Sequence, residues 1–140
     1  MRKVTAALAA ATALALTAAL ALGLALGGAA QAHHSFAVFF DAEGSVAATG
    51  VVTEFNFRNP HASITIEVPG EDGEPVVWKG ETNAQTLMRR RGWTADSIQV
   101  GETVTLEGWP SRDGSPYMRI RQVVRADGTV VGRPVGFTDD

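Results

Sequence analysis

The sequence predicts a small, mainly β barrel with a single helix set between its third and fourth strands. Three observations carry this. Short runs of alternating apolar and polar residues recur between residues 51 and 125, and period-two alternation marks a half-buried strand. Turn chemistry separates them at residues 69–75 and 111–115 and at Asp127-Gly128. The chain also has no cysteine. With no disulfide to hold so short a chain, closing the sheet on itself is an economical way to hide its edges.

The first strand is read over residues 51–57, with Val51, Phe55 and Phe57 on one face and Glu54 and Asn56 on the other. Arg58-Asn59-Pro60-His61 is a turn, because proline fixes φ and asparagine favours turn initiation. The second strand, 62–68, directs Ala62, Ile64, Ile66 and Val68 inward and Ser63, Thr65 and Glu67 outward. Residues 69–75, with two glycines and three acids, form an exposed hairpin loop, and a third strand covers 76–81. Thr82 and Gln85 have the spacing of a capping box at the start of a helix whose apolar edge is Leu87 and Met88. Gly92 stops that helix at its C′ position, and Trp93 packs back on it. Arg89-Arg90-Arg91 then falls in the last turn, where positive charge complements the helix dipole; an anion site is the alternative reading of the triplet.

After a loop over 96–102, the fourth strand (103–109) turns Val104 and Leu106 inward. Ser111-Arg112-Asp113-Gly114-Ser115 is a second hairpin turn. The fifth strand, 117–125, buries Met118, Ile120 and Val124. Asp127-Gly128 signals a small terminal hairpin to Val130-Val131, and residues 132–140 read as a flexible tail. Three strands, a helix and two strands is the order of the OB-fold, a five-stranded Greek-key barrel. An open, strongly bent sheet capped by the helix is the alternative.

The amino-terminal end reads as an export signal. Met1-Arg2-Lys3 is a positive start, residues 4–26 are an Ala/Leu-rich apolar run, and Ala30-Gln31-Ala32 is a small-x-small cleavage site. The apolar run is long enough to span a bilayer as an uncleaved anchor, but its alanine content, Gly23, Gly27, Gly28 and the site that follows favour cleavage. The organisation expected is a signal peptide over 1–32, an amino-terminal segment over 33–45, the OB-like barrel over 46–131 and the tail over 132–140. Removing 32 residues from 140 leaves 108, enough for one small domain. Arg2 and Lys3 leave with the signal, so 10 basic face 15 acidic side chains, a net charge of −5. That balance argues against a nucleic-acid groove and against docking on anionic lipid, and the missing thiols exclude thiolate metal sites. A periplasmic or secreted protein is expected.

The three histidines, His33, His34 and His61, are the residues that suggest chemistry. Two open the mature chain and the third lies in the turn between strands one and two. Cleavage after Ala32 gives His33 both an α-amine and an imidazole, a bidentate chelate, and His61 adds a third nitrogen. Such a set, with His34 as an auxiliary, suits tetragonal Cu(II), whereas zinc would call for a further ligand. The ligand type is similar to the histidine brace of copper proteins. A start at Ala32 or Gln31 instead puts a histidine in third place, where amine, backbone amides and imidazole chelate Cu(II) or Ni(II) without His61. An incidental metal-binding terminus and an ordinary turn histidine are the plain alternative. Asp41 and Glu81 are candidate carboxylate helpers, each also explicable as a solvated or capping group. Trp78, Trp93 and Trp109 read as core or rim packing. No serine nucleophile motif, phosphate loop or HExxH is present, so a catalytic reading finds little support. The expected function is a periplasmic metal-binding module, with copper as its cofactor. The alternative is a metal-free interaction module binding an envelope peptide, glycan or protein through the turn at 58–61 and the loop at 112–115.

His33-His34-Ser35-Phe36 with Phe40-Asp41, and then Asn59-Pro60-His61-Ala62, resemble a family of exported bacterial proteins known as a domain of unknown function. The resemblance continues through Trp78 with Glu81, Leu87 and Arg90 to Gly92-Trp93, and Ser97 with Gly101-Glu102. Gly108, Arg112-Asp113-Gly114-Ser115 and Asp127-Gly128 complete it. It implies an exported, small β-rich domain and carries no established activity.

Overall fold

A computed structural model describes residues 36–137. The elements in chain order are α1 (Phe36–Phe39), β1 (Val46–Asn56), β2 (Ser63–Pro69), β3 (Pro75–Glu81), α2 (Gln85–Arg90), β4 (Thr103–Pro110) and β5 (Tyr117–Arg125). The strands close into a barrel in the order β1-β2-β3-β5-β4. All pairings are antiparallel except β3 with β5, which run parallel over Lys79↔Tyr117, Gly80↔Met118 and Glu81↔Arg119. The fold is therefore mainly β and OB-like, with α2 between the third and fourth strands. Ile64, Ile66, Val104, Leu106, Met118, Ile120 and Val123 fill the interior.

Two bulges shift the alternation read from the sequence. In β1, Val52 pairs with Ile66 but Glu54 pairs with Thr65, leaving Thr53 as an extra residue. A bulge moves the following side chains to the opposite parity, so Val52 and Phe55 both turn toward the core while Val51, expected inside, is 43% exposed. In β5 the extra residue is Arg121, since Gln122 pairs with Glu107 and Ile120 with Gly108. Val123 rather than Val124 is then buried. Gly108 is obligatory at that step, because a Cβ there would lie 1.9 Å from the Arg119 carbonyl oxygen.

The helix differs from its expected start. It begins at Gln85 with Ala84 as N-cap and no side-chain cap bond, so the capping box of Thr82 and Gln85 does not form. Thr82 instead continues the sheet, its N–H and hydroxyl both donating to the Ala62 carbonyl. The helix end follows expectation. Gly92 has φ 87°, its N–H reaches Arg89, and the Trp93 N–H reaches Met88, a Schellman arrangement.

The segment after β5 is also not a frayed end over the described residues. Val135 is buried, its N–H donates to the Arg121 carbonyl, and Phe137 meets Trp109 edge-on. Arg133 donates to the Arg90 carbonyl and Arg91 to that of Pro134, which ties the arginine-rich helix end to the tail.

Candidate functional site at the β2–β3–β5 face

One outer face of the barrel collects the polar residues that the sequence scatters. Gly80, Met118 and Ile120 face inward, so alternation puts Glu81, Tyr117 and Arg119 on the outside. His61, two residues before Ser63, which pairs with Glu81, reaches the same face from the β1–β2 turn.

Glu81 is the hub. One carboxylate oxygen accepts from His61 Nδ1 and the other from the Tyr117 hydroxyl. An ionised carboxylate only accepts, so Nδ1 is the donor in this contact and Nε2 is the ring nitrogen that Glu81 does not engage. The His61 side chain is 27% exposed, so that nitrogen sits in a partly open ring. Burial, followed by the hydrogen bond to Glu81 and that carboxylate's charge, pushes the Tyr117 phenol well above its ordinary range.

The turn that delivers His61 is fixed from α2. The Asn59 side-chain oxygen accepts from the Gln85 N–H at 3.3 Å, and Gln85 Nε2 donates to the Phe57 carbonyl at 2.9 Å. Asn59 thus supplies from a distance the cap that Thr82 does not, and the Asn59-Pro60 peptide is cis.

Over this face lies the amino-terminal segment. The Phe36 ring stacks on the Arg119 guanidinium, 3.4 Å from ring centroid to Cζ, and sits 5.2 Å from the His61 ring. Phe40, fully buried, packs 5.0 Å from Tyr117 and bridges to Ser111. The segment therefore touches both the β1–β2 turn and the β4–β5 loop, the loops that bind oligonucleotides and oligosaccharides in OB-folds. Arg119 is completely buried in consequence, a residue that sequence reasoning passed over because a strand arginine ordinarily faces solvent.

Of the expected metal residues, His61 is on this face, whereas His33 and His34 lie outside the described residues, as does the whole signal segment. Of the two carboxylate candidates, Glu81 joins His61. Asp41 instead accepts from the Glu43 N–H and lies 3.9 Å from Arg112. Among the described residues no group of three or more His, Asp or Glu side chains could hold a metal ion. No helix among them is long and apolar enough to cross a membrane.

The chain belongs to a family of unknown function, DUF6152, whose match spans residues 22–119. No curated protein matches it. Solved structures that resemble the barrel include two single-stranded DNA-binding proteins. One is the mitochondrial single-stranded DNA binding protein Rim1 from S. cerevisiae, at 11% identity and TM-score 0.44, covering 64% of this chain and 95% of that one. The other is a small single-stranded DNA-binding protein from Streptomyces coelicolor, at 17% identity and TM-score 0.37, covering 59% and 90%. At that distance neither bears on function, and the barrel assignment rests on the strand pairing itself.

Proposed function

We propose that this chain is an exported, periplasmic metal-binding module that holds Cu(II) through the amine and imidazole of His33 and through His61, with His34 as an auxiliary. The observation that carries the reading is the state of His61. Its Nδ1 is committed to Glu81, which leaves Nε2 as the ligand atom, and a carboxylate behind a ligating imidazole fixes the ring and raises its basicity. Phe36 packs on the His61 ring, and only two and three positions of chain separate Phe36 from His34 and His33. At up to about 3.6 Å per residue, covalent reach permits the terminal nitrogens to share a metal with His61.

Intact mass of the exported protein fixes its first residue, expected to be His33. Copper titration followed by EPR is then expected to give a three-nitrogen tetragonal spectrum that His61→Ala weakens and alters. An unchanged spectrum and affinity in that variant would leave only a terminal chelate and remove the folded site.

A further inference from the structure

The hold on the amino-terminal segment is unequally distributed. Its carboxyl-terminal half is bonded through the backbone: Asp41 N–H donates to the Pro110 carbonyl and Arg112 N–H to that of Phe39, both at 2.9 Å. Phe40 adds the bridge to Ser111. Nearer the amino end the polar attachment to the barrel is a side chain, the Arg112 guanidinium. Its Nε donates to the Ala37 carbonyl at 2.9 Å, and its Nη2 lies 3.9 Å from Asp41.

The loop that presents Arg112 is itself braced. Asp113 accepts from the Ser111 hydroxyl at 2.7 Å and the Ser115 N–H at 2.9 Å, and hydrogen bonds from Ser115 and Ser111 hold its carboxyl down to about 2. A planar guanidinium with donors in a fixed fork suits two acceptors on one short segment. Beyond Ala37 comes Phe36, whose ring lies against the Arg119 guanidinium and tilts at 43° to the His61 ring.

We propose that Arg112 is a positioning residue: it clasps residues 36–41 onto the barrel and so holds the Phe36 ring against His61. This rests on the metal-binding reading for its purpose but not for its geometry, so the two are separable by experiment. Arg112 is half exposed in a loop, and Arg112→Ala is expected to melt close to the native protein.

In the metal-free protein, the His61 ring-proton resonance, shifted by the Phe36 ring current, is expected to move toward its unstacked position in Arg112→Ala. With copper added, the same variant is expected to lose affinity about tenfold, the scale on which supporting residues tune metal sites. Its EPR spectrum should converge on that of His61→Ala. An unmoved His61 resonance overturns the clasp outright. A moved resonance with native copper affinity and spectrum overturns the link to the metal site, provided His61→Ala changes both. Should His61→Ala itself leave copper binding untouched, the metal reading is what has failed, and the His61 resonance alone decides the clasp.

Discussion

Glu81 accepts hydrogen bonds from an imidazole in the β1–β2 turn and a phenol on β5, and Tyr117 reports on it directly because it is the chain's single tyrosine. Its folded pKa is raised above the ordinary 10.0, so the folded state holds the phenolic proton more tightly than the unfolded chain does. The resulting stability is fully present below pH 10 and is lost as pH rises through the higher folded value. Phenolate absorbance should stay silent through the ordinary tyrosine range and emerge only at higher pH. In Glu81→Gln the transition should move down, because the carboxylate charge is gone while burial remains. A native-like titration in that variant would contradict the Glu81–Tyr117 bond. His61 and Glu81 were both legible as candidates, since their residue types carry ligand and helper chemistry. Tyr117 and Arg119 were not: an arginine buried beneath a ring 83 positions away in the chain leaves no local signal.

At the level of elements, the inward face of each strand followed from alternation wherever the ladder is regular, as in β2. It shifted where a bulge inserts one residue, because the insertion at Thr53 or Arg121 depends on the partner strand and not on the bulged one. The helix start failed for a related reason. A capping box is a local pattern, and the acceptor that reaches Gln85 comes instead from Asn59, 26 positions away. Asn59→Ala is therefore expected to destabilise the protein by about 1 kcal/mol in chemical denaturation, the usual worth of a helix cap, and to loosen the turn that carries His61. Asn59→Asp should retain most of that stability. Equal stability of the alanine variant would show that the turn is held by other contacts.

For the whole molecule, the tail and the amino-terminal segment are what sequence patterning could not place. Both are short, rich in glycine, proline or isolated aromatics, and gain order only by docking on a finished barrel, Val135 against the core and Phe36 against Arg119. The amino-terminal segment lies across the β1–β2 turn and the β4–β5 loop, and its phenylalanines cover that side of the barrel. The parallel pairing of β3 with β5 has a further consequence. It closes the barrel with three residue pairs, against seven between β2 and β3, and Glu81, Tyr117 and Arg119 stand on the two outer pairs of the three. The weakest join in the cylinder and the candidate site are thus the same place, and the Tyr117–Glu81 bond works as a rivet across the join. Tyr117→Phe should accelerate amide hydrogen exchange at Lys79, whose N–H donates to the Pro116 carbonyl across this join, while β1–β2 amides keep their native protection. Uniform acceleration would instead mean that the barrel opens only as a unit. A selective response would show that this join opens as a local unit while the rest of the barrel stays closed.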